Sequence, residues 1–209
     1  MNRAVYVDGF NLYYRLLRKR ADAKWLNLLA LSQKLFPNDK ITVVRYFTAR
    51  IRTLDDERAP QRQETYLRAL NTLKPVVSVH HGHIQVRGKW RRLQHPITGL
   101  AKSALISHIQ EKGSDVNLAS HFLLDAFRNC FENAAVVTND ADFAEPIRIV
   151  QHELELPVTL VHPTEDPAPA LSDMGPSEIL RLSLSSVRMC QFPKVLTDDD
   201  GEFRCPESW

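Results

Sequence analysis

Asp140 and Asp142 stand one residue apart in the stretch AAVVTNDADFA, directly after the apolar run Ala134–Val137. Carboxylates this close repel each other unless a cation sits between them. Hard divalent cations such as Mg²⁺ take oxygen ligands, and usually only one or two protein carboxylates each. The plain structural alternative is a helix cap, a role that Asp fills well. One cap needs one Asp, so the second is left over. The pattern recurs twice. Residues 4–11, AVYVDGFN, end a β-prone run on Asp8, with Gly9 to turn the chain and Asn11 to open a helix. The stretch EKGSD puts Asp115 just before the apolar-periodic run Val116–Phe131. Three separate caps would explain three separate places. A single acidic pocket explains them together.

The elements that must position these residues alternate. Residues 3–7 and 41–50 read as strands, the first near-continuously apolar and the second rich in β-branched and aromatic residues. Helices are expected at 10–20, at 28–36 (stopped by Pro37) and at 60–73, with a polar loop at Thr53–Gln61. A strand at 76–84 places His81 and His83 on one face, but no further ligand stands at zinc-like spacing. Residues 85–103 are the least core-like part and read as an exposed hairpin or loop. There Arg87, Lys89, Arg91, Arg92 and Lys102 surround Trp90, a combination able to grip phosphates and stack on a base, or simply to be solvated. A strand at 104–110, the helix Val116–Phe131, the strand 134–137, a helix at about 143–154 and a strand at 157–162 follow. Prolines 163, 167, 169 and 176 punctuate a loop. A helix at 177–186 is expected to cover one face of the sheet. The tail 187–209 shows no periodicity, and its Asp198-Asp199-Asp200 reads as a solvated turn. Strands alternating with helices indicate a mainly parallel sheet between helical layers. Right-handed crossovers would bring the strand ends after Val7 and Val137 to one edge, and ligands bind beyond the carboxyl ends of such strands.

Composition narrows the class. The 209 residues, 44% hydrophobic and 25% charged, suit one folded α/β domain rather than a disordered chain. We expect it over 1–186, with the tail packed on it. No apolar run approaches the ~18–20 residues of a membrane span, and Asp8 and Asn11 interrupt the only apolar start, against a signal peptide. Three widely spaced cysteines, Cys130, Cys190 and Cys205, make neither a disulfide framework nor a zinc pattern, so a cytoplasmic setting is expected. The net charge of +2 hides an asymmetry: residues 1–110 carry 20 Lys and Arg against 7 Asp and Glu, and residues 111–209 carry 7 against 18. Such a division points to a polyanionic partner, unless the two halves pack so closely that it averages out over the surface.

The stretches VDGFNLYY at 7–14, EKGSDVNLA at 111–119 and VVTNDADFAEPIRIV at 136–150 resemble, in this combination and order, the NYN family of PIN-like ribonucleases. The ending QFPKVLTDDDGEFRCPESW at 191–209 is similar to that of a bacterial subgroup. The resemblance covers roughly residues 3–162. It implies a PIN-like three-layer α/β/α sandwich and metal-dependent cleavage of RNA. The family's metal-ligand positions fall on Asp8, Asp115, Asp140 and Asp142, and Asn11 matches the asparagine of the first motif. One position departs. Many relatives carry another Asp on the helix after the KGxD pattern, where this chain has His121, with Asp125 the nearest carboxylate.

The expectation is therefore a metal-dependent ribonuclease with Mg²⁺ or Mn²⁺ at Asp8, Asp115, Asp140 and Asp142, Asn11 orienting a carboxylate or water. Lys112, Arg87, Trp90, Arg91 and Arg92 would meet the RNA, single-stranded or structured. A homodimer is compatible with this reading, and a membrane partner is not expected. The alternative is a non-catalytic or weakly catalytic RNA-binding protein on the same fold. A haloacid-dehalogenase-type phosphatase would need a second Asp two residues after Asp8, where Phe10 stands.

Overall fold

The computed structural model describes residues 1–51, 56–95, 102–207 and 209. Among them a seven-stranded sheet runs in the order β4-β3-β2-β1-β5-β6-β7. Its strands are β1 (Asn2–Asp8), β2 (Lys40–Ala49), β3 (Val77–Arg92), β4 (Ser103–Lys112), β5 (Asn133–Val137), β6 (Val158–His162) and β7 (Glu178–Arg181). All neighbours pair in parallel except β3 and β4. The chain winds outward from β1 to β2 and β3 on one side, then returns to lay β5, β6 and β7 on the other. The switch point lies between β1 and β5, where Val7 faces Val137 across the ladder. The edge expected for those two strand ends is the one observed.

Alternation along β1 divides the interior. Val5 and Val7 point to one face, Ala4 and Tyr6 to the other. The first face is covered by α1 (Gly9–Leu12) with its wide turn Tyr13–Leu17, α2 (Leu28–Leu35), α3 (Ala59–Asn71) and, later, α7 (Leu184–Met189). The second lies under α4 (Ser114–Phe127), α5 (Ala144–Arg148) and α6 (Pro169–Ser172). Phe122 and Leu118 of α4 are sealed against Tyr6 and Phe47, each such side chain contributing roughly 1.5–3 kcal/mol of burial. The layers are those of an α/β/α sandwich with a mainly parallel sheet.

Several boundaries move. The helix expected over 10–20 regular turns shrinks to α1 and one wide turn that ends at Leu17, leaving Arg18–Arg20 beyond it. The expected helix at 177–186 is instead the edge strand β7 followed by α7. In four residues a helical and an extended apolar pattern look alike, and pairing with β6 decides between them. The loop at Thr53–Gln61 falls partly outside the described residues, and α3 already starts at Ala59. The region 85–103 is a hairpin arm. The first half of β3 lies in the sheet, the second pairs only with β4, and 96–101 lie outside the described residues. The tail holds a small hairpin, β8 (Val195–Asp198) and β9 (Gly201–Arg204). Asp198, expected in a solvated turn, accepts two hydrogen bonds from Arg68 at 2.7 and 2.5 Å. Phe192 and Phe203 pack on Trp25. No described helix is long and apolar enough to cross a membrane.

Candidate active site

Asp8 ends β1 and is 5% exposed. One carboxylate oxygen accepts the backbone N–H of Asn11 at 2.9 Å and so caps α1. The other accepts the Thr138 hydroxyl at 3.0 Å. Thr138, fully buried at the end of β5, accepts in turn the N–H of Asp140 at 3.1 Å. The Asn11 side-chain oxygen accepts the N–H of Asn139 at 3.1 Å, and the Asn139 side chain holds the loop at Thr164, Asp166 and Ala168. The ends of β1 and β5 are thus stitched across the switch point, where open α/β sheets place their ligands. Gly9 makes the turn possible: a Cβ there would stand 2.6 Å from the Phe47 carbonyl oxygen and from the Tyr46 ring.

Asp140 caps the next turn by accepting the N–H of Asp142 at 3.1 Å. The sequence pattern therefore contained both a cap and a leftover carboxylate, with Asp142 exposed. Asp115 enters from the first turn of α4. The four carboxylates share one electrostatic environment. Burial, with the charges of Asp115 and Asp140 adding to it, pushes Asp8 up to about 6 against the hydrogen bonds from Asn11 and Thr138. Desolvation, then Glu111, Asp140 and Asp142, hold Asp115 above the usual carboxylate range. Among the described residues, no three His, Cys, Asp or Glu groups close around one point as a finished metal cage. A hard cation does not need one, since Mg²⁺ binds through one or two carboxylates and keeps several waters. The donor set, all carboxylate and amide oxygens, fits such an ion.

Glu111 was not among the expected site residues. Its carboxylate accepts the N–H of Ser114 at 3.0 Å and its charge acts on Asp115. A Cβ on Gly82 would meet it, and would also stand 2.7 Å from the Lys112 carbonyl oxygen and 2.8 Å from the Ser114 nitrogen, backbone contacts that favour glycine where β3 passes this turn. The signal was an acidic residue three before the first helical N–H. Thr138 bonds Asp8 directly.

His121, where the resemblance led us to look for another Asp, packs. Its ring lies 4.2 Å from that of His80 and 5.8 Å from Phe47. Burial, then Arg45, lowers its pKa. Asp125 is taken as well: Arg45 binds both its oxygens, at 2.6 and 3.0 Å, and the Tyr6 hydroxyl donates to it at 2.7 Å. Burial first, then His121 and Arg45, brings His80 down to about 4, so that ring is neutral at neutral pH.

The arm is two-faced. Directly opposed residues share a face, which puts Arg87, Lys89 and Arg91 with His83, His108 and Lys112 on one side. Val86, Trp90 and Arg92, with Leu105 and Ile109, lie on the other. Trp90 is 68% exposed. Strand alternation therefore separates Trp90 from Arg87, Lys89 and Arg91 and leaves Arg92 on its face. Next to Asp8, Gly9 and Phe10 also border a cavity of about 390 Å³ walled by tyrosines.

The sequence matches the NYN domain family over residues 2–176. It is 26% identical over 237 aligned residues to 6-hydroxy-3-succinoylpyridine 3-monooxygenase from Pseudomonas putida, covering 98% of this chain and 74% of that one. A solved structure of a protein of unknown function from Vibrio parahaemolyticus is 14% identical, with a TM-score of 0.53 and 97% and 96% of the two chains covered, a likeness of fold. With a match over most of its length and the three strand-end motifs meeting at the switch point, the chain belongs to the NYN domain family.

Proposed function

We propose that this protein is a metal-dependent ribonuclease. The observation that supports the reading is the placement of Asp8, Asp115 and Asp140 at three strand-to-helix junctions, with Asp8 joined to the Asp140 backbone through Thr138 and the charges of Asp115 and Asp140 acting on Asp8. Family membership supports a nuclease-like, RNA-related role. Asp8, Asp115, Asp140 and Asp142 would hold Mg²⁺ or Mn²⁺. When bound, the ion would polarise the scissile phosphate and acidify a water. The chain's own part is positional. Thr138 and the Asn11 N–H fix the Asp8 carboxylate, and Asn11 locks the Asn139 turn that aims Asp140. Lys112, at the foot of the arm, offers a point charge to a phosphate oxygen. Arg87 and Arg91 extend that charge outward along the same face, while Arg92 and Trp90 offer a separate contact on the other.

The test is cleavage of a labelled single-stranded RNA by pure protein with Mn²⁺, Mg²⁺ or EDTA. We expect metal-dependent cleavage that falls at least about a hundredfold in Asp140→Asn, with an unchanged circular dichroism spectrum. Full activity in that variant would remove the site. Binding without cleavage in any metal would leave the RNA-binding reading. The Pseudomonas relative suggests a second chemistry, oxygenation of a substituted pyridine. The tyrosine-walled cavity beside Asp8 is what favours it here. Substrate-dependent oxygen uptake with a hydroxypyridine and a two-electron donor such as NADH, absent with RNA, would select it.

A further inference from the structure

The cavity beside Asp8 has the size of a small-molecule site, whose usual range begins at about 300 Å³. Rings make much of its wall. Phe10 and Tyr14 stack with centroids 6.2 Å apart, Tyr13 meets Tyr14 edge-on, and Tyr46 and Tyr66 lie deeper, at 90° to each other. Its charges are mostly positive: Arg18, Lys24 and Arg62 against Asp56. Arg62 is already paired with Asp56, and the Arg18 guanidinium lies 5.5 Å from the Tyr14 ring centroid.

Lys24 is different. It is 8% exposed, and among the described residues its ammonium meets neither a carboxylate nor a hydrogen-bond acceptor. It faces two rings instead, 5.7 Å from the centroid of Tyr13 and 5.9 Å from that of Trp209. Cation–π attraction offsets only part of the loss of water around a buried ammonium. Burial, and then the like charge of Arg62, push its pKa down against the opposite pull of Asp56 on the same wall. The Trp209 indole N–H, on the same wall, is buried and has no acceptor among the described residues. Two donors without a partner among the described residues and a set of aromatic faces thus border one volume.

We propose that this cavity binds a planar aromatic ring carrying an anionic group, with the anion meeting Lys24 and the ring lying against the tyrosine and tryptophan faces. A nucleoside 5′-phosphate and a small aromatic carboxylate both have this chemistry. The assignment rests on neither reading of the acidic crevice, because it needs no metal and no turnover.

Isothermal titration of the full chain in EDTA tests it, in the wild-type protein and in Asp140→Asn. The probes are UMP and 4-hydroxybenzoate, each beside a partner without the aromatic ring, ribose 5-phosphate and cyclohexanecarboxylate. At least one aromatic anion is expected to bind with Kd below about 1 mM, at least about tenfold tighter than its control. Lys24→Met, which removes a buried charge without removing volume, is expected to weaken it about tenfold or more. Lys24→Arg should recover part of the loss. Tyr14→Leu, at a side chain 57% exposed and so safe for folding, should weaken binding severalfold. Binding of UMP alone would identify a nucleotide site, and binding of the benzoate alone a small-molecule site. The proposal is overturned if neither aromatic anion binds, if the controls bind as well, or if Lys24→Met binds like the wild type. Loss of RNA cleavage in Asp140→Asn with unchanged titration separates this site from the nuclease reading.

Discussion

Asp8 is ionised only at a cost. Its carboxyl in the folded chain titrates near 6, raised chiefly by burial, against about 3.9 in an unfolded chain. A raised acid binds its proton more tightly in the folded state, so its contribution is fully present below about pH 4 and is lost as pH rises through about 6. The difference corresponds to about 3 kcal/mol. Without metal, wild-type melting temperature should therefore fall between pH 4 and pH 7 relative to that of Asp8→Asn, and thermal melts of both in EDTA across that range would show it. Parallel curves would mean that Asp8 is not strained. Because a metal ligand must be deprotonated, the Mg²⁺ concentration needed for half-maximal cleavage should fall as pH rises through about 6. Two neighbouring groups that look like candidate ligands in the sequence have other duties. His121 lies on His80, and Asp125 neutralises Arg45 beneath α4.

Among the elements, the arm formed by β3 and β4 makes the sharpest distinction. If RNA runs along its basic face, Arg87→Ala and Arg91→Ala together should lower the slope of log affinity against log salt by about two. Trp90→Ala, on the opposite face, should leave that slope unchanged. Filter binding at several salt concentrations would decide, and equal effects from both faces would contradict the two-sided arm. At the foot of β1, Gly9 is held by close contact rather than by its backbone conformation. Gly9→Ala would drive a methyl into the Phe47 carbonyl and the Tyr46 ring. A loss of about 1–3 kcal/mol in urea unfolding is expected; no loss would mean that β2 yields easily.

For the molecule as a whole, the topology explains the charge asymmetry. The basic first half builds β1 to β4, the acidic second half builds β5 to β7, and the two meet at the β1–β5 seam. The sheet lays the strands of the two halves side by side and the acidic crevice opens on the seam, while α4 and the tail bring acidic side chains back onto the first half, Asp125 to Arg45 and Asp198 to Arg68. The tail belongs to the same packing. Phe203 is 8% exposed, lies edge-on to Trp25, and carries the Arg68 guanidinium 4.3 Å above its ring. Phe203→Ala should cost about 2–4 kcal/mol and lower the melting temperature in one transition. A separate early transition of the tail would show that it folds apart from the sheet.

The amino-acid order by itself determined the central strands, the α/β class, the family and the three junctions bearing Asp8, Asp115 and Asp140. Apolar runs that end on a turn are local signals, and a carboxylate at their end is part of the same stretch. Tertiary structure alone decided what long-range partners control. It turned Ile179 and Leu180 into an edge strand, because β6 offered a ladder. It sent Trp90 away from Arg87 and Arg91, since pairing with β4 fixed which way each residue points. It tied Asp8 to Thr138 across 130 positions of sequence, and brought Lys24 to Trp209 on the wall of one cavity. Contacts of this kind depend on how the sheet is ordered, and no window of neighbouring residues contains that order.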